Sequence, residues 1–372
     1  MSLPSILISA RWMCRLLAPW GIFLNVCLIF FLRISSALEP IGKSSDCSAC
    51  IFCIRNRFAK LEPLQENPET IVPVVFAADD NYVPMLTTTI YSMLKNASED
   101  RFYDVIVLER NISDENKQII TKFLAQFSNA AVRFYDVSRY LAGFNLTTSN
   151  AHISVETYYR FIIQEALPFY SKLLYLDCDL VVNGDVAELF DTEMGDNAIA
   201  AVPDIDFIGN LNMKDGIRAE YVRKQLHMRD AYGYFQAGVL VMNLDRTRKI
   251  HTVHEWLQIA SKPGYIYNDQ DILNTECEGL VTYLDYSWNV MHNCAGRVAG
   301  VFDFAPADVY KAYMESRKAP KVVHYAGFDK PWKNPWCDFA PLYWQYAQET
   351  PFVAQNVRRH VGSAEAGTSG TS

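Results

Sequence analysis

Along this chain the apolar positions change period in a regular way. Ile71-Val72-Pro73-Val74-Val75-Phe76-Ala77-Ala78 is a continuous, branched run of strand length that stops at the polar turn Asp79-Asp80-Asn81-Tyr82. Pro84 then suits a first helical turn, and Leu86, Ile90, Met93 and Leu94 return at helical spacing. The alternation repeats. Tyr103 to Leu108 is a second strand. Ser113 caps a helix with Asp114 and Glu115 in its first turn and Ile119, Ile120, Phe123, Leu124 and Phe127 on its buried face, and Val132 to Val137 is a third strand. Strand, helix, strand, helix, strand predicts an α/β protein whose central sheet is mostly parallel and covered on both faces.

A loop containing His152 and a helix over 155–167 carrying Arg160 lead to the run Lys172-Leu173-Leu174-Tyr175-Leu176-Asp177-Cys178-Asp179-Leu180-Val181-Val182. Strand formers are interrupted there once, by two carboxylates one residue apart. In a strand, positions i and i+2 share a face, so Asp177 and Asp179 can address one point, and two carboxylates at one point require a shared proton or a cation. The carboxyl end of a strand is also where open α/β sheets bind ligands. A bare Asp-x-Asp is most often two solvated side chains, so its neighbours must decide. Beyond it the pattern predicts strands at 198–203, ending at Asp204, and at 238–243, 281–284 and 321–325. It predicts helices at 251–261 and from Asn268-Asp269-Gln270-Asp271 onward, and a charge-rich, partly helical excursion over 206–233.

Composition narrows the function classes. The chain has 372 residues, half of them hydrophobic, enough for a substantial core. A net charge of −8 and a pI near 5.4 argue against a nucleic-acid partner, which needs a basic field. Neither G-x-x-x-x-G-K-[ST] nor G-x-G-x-x-G occurs, which excludes the commonest phosphate-binding loops. The cysteines follow no regular pairing pattern; Cys47, Cys50 and Cys53 have zinc-like spacing but no fourth ligand nearby. Residues 16–32 are apolar apart from Pro19, Gly21 and Asn25, the lower edge of a bilayer span. Lys43, Arg55, Arg57 and Lys60 after them favour a main domain in the cytoplasm, associated with the inner face of the cell membrane if the segment is an anchor. Ser35, Ser36 and Ala37 keep a cleaved signal peptide open, and an over-extended start is the third reading. The expected organisation is an N-terminal segment and linker over 1–69, a catalytic domain over 70–350 and a disordered tail over 351–372.

Four ordered stretches carry a resemblance: Phe76-Ala77-Ala78-Asp79-Asp80-Asn81-Tyr82, Leu174-Tyr175-Leu176-Asp177-Cys178-Asp179, Asn268-Asp269-Gln270-Asp271-Ile272-Leu273-Asn274, and His324-Tyr325-Ala326-Gly327-Phe328-Asp329-Lys330-Pro331-Trp332. In order and spacing the chain from about Ile71 to about Trp336 resembles glycosyltransferase family 8, which includes bacterial galactosyl- and glucosyltransferases of lipooligosaccharide cores and the glycogenins. The resemblance implies a GT-A fold, the Rossmann-like nucleotide-diphospho-sugar transferase fold, with Mn2+ or Mg2+ held by Asp177, Asp179 and His324. It places Asp79 and Asn81 at the uridine, with Ala77 and Tyr82 also in the donor-binding set, Gly327 and Lys330 at the diphosphate, and Arg160, Asp204, Asp269 and Gln270 at the donor sugar, with Arg160, Asp269 and Gln270 as the catalytic candidates. Cys178 belongs to the same donor-binding stretch, its side chain facing away from the metal as a core thiol. Gln236 is a departure, standing near the donor sugar where relatives carry asparagine.

The implied reaction is metal-dependent, retaining transfer of a hexose, galactose or glucose, from a UDP-sugar to a glycan or lipid-linked saccharide acceptor in cell-surface polysaccharide or lipopolysaccharide synthesis. Front-face attack competes with double displacement through Asp269, Gln270 or Asp271, and an amide is a feeble nucleophile. Acceptor contacts are expected from the loops 145–154 and 328–335. The alternative from another class is a nucleotide-sugar-binding protein without turnover, favoured only by Gln236 and the 206–233 excursion.

Overall fold

The computed structural model describes residues 61–64, 70–149 and 153–357. The apolar segment 16–32, the cysteine trio, His152 and the polar tail from 360 onward lie outside them. Ten strands are present among the described residues: β1 (Ile71–Ala77), β2 (Phe102–Glu109), β3 (Ala130–Asp136), β4 (Lys172–Leu176), β5 (Leu180–Val182), β6 (Ile199–Pro203), β7 (Phe235–Asn243), β8 (Val281–Tyr283), β9 (Val290–Met291) and β10 (Val322–His324). Seven form a sheet in the order β3-β2-β1-β4-β7-β6-β8, and three form a second sheet, β5-β10-β9. In the larger sheet only β7 runs antiparallel to its neighbours, β4 and β6. The parallel α/β expectation holds, with one reversed strand.

The central strands β1 and β4 are almost wholly apolar because both faces are covered. In β4, Leu174 and Leu176 enter one core while Leu173 and Tyr175 enter the other. The helix Val83–Lys95 covers the first face and is buried along nearly its whole length. Its Thr89 hydroxyl bonds the carbonyl oxygens of Cys178 (2.9 Å) and Leu180 (2.8 Å), and Ser92 Oγ accepts from Val182 N at 3.0 Å. The segment that follows β4 is therefore fastened to a core helix by side-chain bonds.

Two local expectations change. Residues 155–167 do not form one α-helix: Val155–Phe161 is a 3-10 helix, followed by the short helix Ile163–Ala166. Residues i and i+3 eclipse in the tighter winding, which puts Thr157 and Arg160 on the same side. The Arg160 Nε accordingly donates to Thr157 O at 2.9 Å. The helices Leu244–Ile250, Ala307–Ser316 and Ala340–Ala347 were not evident from the apolar pattern. Among the described residues no helix is long and apolar enough to cross a membrane.

Because Leu174 is fully buried at the centre of the larger sheet, Leu174→Ala is expected to lower stability by about 2–5 kcal/mol. Urea unfolding followed by circular dichroism checks this; an unchanged midpoint contradicts the assignment of β4 to the core.

Candidate active site

The run 172–182 is two strands in two sheets. β4 stops at Leu176, β5 starts at Leu180, and Asp177-Cys178-Asp179 makes the bend between them. The i, i+2 rule of a continuous strand is thus not what brings the carboxylates together. Asp177 N still donates to Gly238 O of β7 at 2.8 Å, but two residues later Asp179 O accepts from Tyr325 N at 3.0 Å, beside β10. The chain changes sheets between the two aspartates, and the last residue of β10, His324, meets them both. Its Nε2 lies 3.3 Å from Asp179 Oδ1 and 3.9 Å from Asp177 Oδ2. Cys178 points the other way, donating to Ala77 O at 3.2 Å, and burial pushes its thiol well above the ordinary range. It is an inert core thiol.

One ligand atom each from Asp177, Asp179 and His324 can be chosen so that all lie within 4.8 Å of one another. Ligands about 2.1 Å from a hexacoordinate ion stand about 3 Å apart along an edge, so the set is close to what such an ion needs. Two carboxylate oxygens and an imidazole nitrogen are donors that manganese accepts. Gly238 leaves the room: a Cβ there would press into His324 Cε1 and stand 2.7 Å from Asp177 Oδ2. Burial would push the Asp179 carboxyl up, yet the charge of Lys330 holds it far below the usual carboxylate range. Lys330, itself buried, donates to Asp179 Oδ2 and, at 2.6 Å, to Tyr325 O.

Arg160 links this centre to the opposite wall. Its guanidinium pairs with Asp177 Oδ1 (2.9 Å) and Asp269 Oδ2 (3.0 Å), donates to Ala237 O, and lies 4.1 Å from the centroid of the Tyr175 ring. Asp269 also accepts from the Thr157 hydroxyl, and burial pushes its carboxyl up to about 6 against the pull of Arg160. Gln270 is held at both ends, its Oε1 accepting from Ala237 N and its Nε2 donating to Asp204 Oδ2, each at 2.9 Å. Asp204 Oδ1 in turn caps the helix Ile205–Asn212 through Phe207 N. Asn268, just before this pair, has φ 51° and ψ −118°, a costly backbone state for a residue with a Cβ. Its Oδ1 accepts from Ser149 N at 3.0 Å, which docks the described part of the 145–154 loop beside Asp269. Asp271 turns into a tyrosine cluster, accepting from the hydroxyls of Tyr221 (2.6 Å) and Tyr234 (2.7 Å).

A cavity of about 420 Å³ opens onto these groups. Its lining includes Ala77, Asp79, Tyr82, Arg160, Asp177, Cys178, Asp179, Asp204, Gln236, Asp269, Gln270, His324, Gly327 and Lys330. Asn81 and Asp271 are not in the lining; Asn81 is exposed and donates to Asp79 Oδ2 at 2.9 Å. Gly327 has φ 103°, and a Cβ there would stand 3.1 Å from Cys294 Sγ, so a side chain would be both strained and crowded. On its far wall Arg218 Nη1 meets Asp206 Oδ1 at 2.5 Å and Arg297 Nη1 lies 3.4 Å from Asp206 Oδ2. These two cations escaped the sequence reading; Arg218 lies in the charge-rich 206–233 excursion, and no pattern marked Arg297.

Residues 73–335 match the family described as glycosyl transferase family 8. The structure is similar to the galactosyltransferase LgtC solved in complex with donor and acceptor sugar analogs, at 30% identity and a TM-score of 0.61, over 75% of this chain and 96% of that one. It is also similar to the apo WbbM bifunctional glycosyltransferase, at 31% identity and a TM-score of 0.71, over 81% of this chain. The match spans 53% of that longer protein. In sequence the chain is 24% identical to the lipopolysaccharide 1,2-glucosyltransferase of Escherichia coli, over 75% of this chain and 78% of the relative.

Since Gly238 keeps the space into which Asp177 and His324 converge, Gly238→Ala is expected to weaken Mn2+ binding about tenfold or more while the protein stays folded. Paramagnetic resonance of free Mn2+ gives the affinity; a folded variant binding as tightly as the parent contradicts the placement.

Proposed function

The chain belongs to glycosyltransferase family 8, and from that membership we propose that it moves a hexose, galactose or glucose, from a UDP-sugar to a saccharide acceptor, with a divalent cation, Mn2+ or Mg2+, held by Asp177, Asp179 and His324. The observation that carries the reading is the convergence of those three side chains, with Lys330 beside them, in the cavity that Arg160, Asp269 and Gln270 line from the other side. A bound cation would act as a Lewis acid and neutralise the departing diphosphate.

The chain's own residues account for the remaining steps. Lys330 supplies a point charge and Gly327 an open backbone approach to diphosphate oxygens. Asp79 and Tyr82, on the turn after β1 and in the cavity lining, would hold the nucleotide of the donor. Arg160 fixes Asp177 and Asp269 relative to each other and so sets the distance between the metal side and the sugar side. Both oxygens of Asp269 and both ends of the Gln270 amide are engaged. A protein nucleophile would have to break those bonds first, which favours front-face attack, with the departing phosphate accepting the proton of the acceptor hydroxyl. The product then keeps the anomeric configuration of the donor.

The acceptor is a glycan or a lipid-linked saccharide, met through the loops 145–154 and 328–335; similarity to a lipopolysaccharide glucosyltransferase supports a cell-surface product. Work at the cytoplasmic face of the membrane, where nucleotide sugars meet lipid-linked acceptors, follows from that reading.

Purified protein with Mn2+ and a panel of UDP-hexoses is expected to release UDP from one of them, and a chelator to stop the release. Asp177→Ala combined with Asp179→Ala should abolish Mn2+-dependent UDP affinity in calorimetry while leaving the fold intact. Tight binding of a UDP-hexose with no UDP release, after plausible saccharide acceptors have been supplied, would instead establish a nucleotide-sugar-binding protein. With a donor in hand, proton NMR of the product reports its anomeric configuration, and inversion would refute front-face attack.

A further inference from the structure

Three buried side chains connect a backbone amide to the candidate metal ligand, and the amide fixes the orientation of all of them. Gly238 N can only donate, so the Gln236 atom 2.5 Å from it must be the carbonyl oxygen Oε1. The Asn289 atom 2.7 Å from that same oxygen must therefore be its amino nitrogen, Nδ2. The remaining end of the Asn289 amide is then Oδ1, an acceptor, and it lies 3.0 Å from His324 Nδ1. An acceptor there requires the proton to be on Nδ1. Amide and imidazole orientations are ordinarily ambiguous from heavy atoms alone; here a main-chain N–H removes the ambiguity. Asn289 and His324 are each 2% exposed, so water does not compete for these bonds.

The relay opposes the preference of the surroundings. With Asp179 Oδ1 at 3.3 Å and Asp177 Oδ2 at 3.9 Å from Nε2, an unrestrained imidazole would turn a proton toward the carboxylates. That tautomer cannot ligate a cation. We propose that Asn289, anchored by Gln236, is a positioning residue that holds His324 as the Nδ1–H tautomer and so aims a bare Nε2 between Asp177 and Asp179. The proposal rests on the metal role given above to that trio. It also restricts Gln236 toward the donor: with Oε1 committed to Gly238 and Asn289, only the amino group can face the cavity, so Gln236 meets an acceptor oxygen of the donor sugar or diphosphate.

The test is side-chain 15N NMR of the metal-free protein labelled at histidine, at about pH 8.5, where an ordinary histidine is neutral. His324→Gln identifies the resonance. The expected result is a protonated Nδ1 and a bare Nε2. Asn289→Leu is expected to move the proton to Nε2 and to weaken Mn2+ binding about tenfold or more by paramagnetic resonance. Gln236→Glu, whose carboxylate can still accept from Gly238 N and Asn289 Nδ2, is expected to leave the tautomer unchanged. A protonated Nε2 in the parent protein overturns the proposal, and this arm decides alone if Asn289→Leu does not fold. A folded Asn289→Leu protein that keeps the proton on Nδ1 and binds Mn2+ within twofold of the parent also overturns it. A parent protein with protonated Nδ1 that binds no Mn2+, with or without UDP, upholds the tautomer and refutes the metal role instead.

Discussion

The repulsion between Asp177 and Asp179 is the constraint to which the rest of the site answers. Two partly buried carboxylates on a three-residue bend are unfavourable unless each has compensating charge. Arg160 reaches Asp177 from the 3-10 helix, Lys330 reaches Asp179 from the loop after β10, and His324 stands between them at the end of β10. Arg160 comes from one part of the chain and His324 with Lys330 from another, so the full site exists only once both sheets have formed. Lys330 holds Asp179 Oδ2 while His324 Nε2 faces Oδ1, so a metal ion would share the carboxylate with the lysine, and a diphosphate arriving with the ion gives the lysine a further partner.

The reversed strand β7 makes this economical. Running antiparallel to β4, it brings its first residues to the carboxyl end of β4, where a parallel neighbour would bring its last. The backbone of Ala237 and Gly238 then serves four side chains or chain segments at once. Ala237 O receives Arg160, Ala237 N donates to Gln270, Gly238 O receives Asp177 N, and Gly238 N orients Gln236. The absence of a side chain at Gly238 is what lets these groups close together.

Much of the fold was legible because burial on both faces leaves apolar runs of strand length, as in β1 and β4, and because Ser113 marks a helix start by chemistry that acts locally. The aspartate pair was legible for the same reason, as polar residues inside an apolar run. His324, Gly327 and Lys330 were not legible from pattern; they came through the resemblance, since a lone histidine at a strand end has no local signature. The sheet change between Asp177 and Asp179 was hidden because both flanking segments are fully buried, so the apolar run continues across the bend. Asn289, Arg218 and Arg297 were missed because their roles lie in contacts beyond any local period, to Gln236 and His324 in one case and to Asp206 in the others.

The proposed metal centre of Asp177, Asp179 and His324 inside a nucleotide-sugar site can be seen in a crystal structure with Mn2+ and UDP, with anomalous diffraction collected at the manganese edge. The expected result is a single strong anomalous peak at bonding distance from an oxygen of each aspartate and from His324 Nε2, with diphosphate oxygens completing the coordination and Lys330 moved onto them. UDP bound in the cavity with no manganese between these three residues, or with manganese held elsewhere, would contradict it.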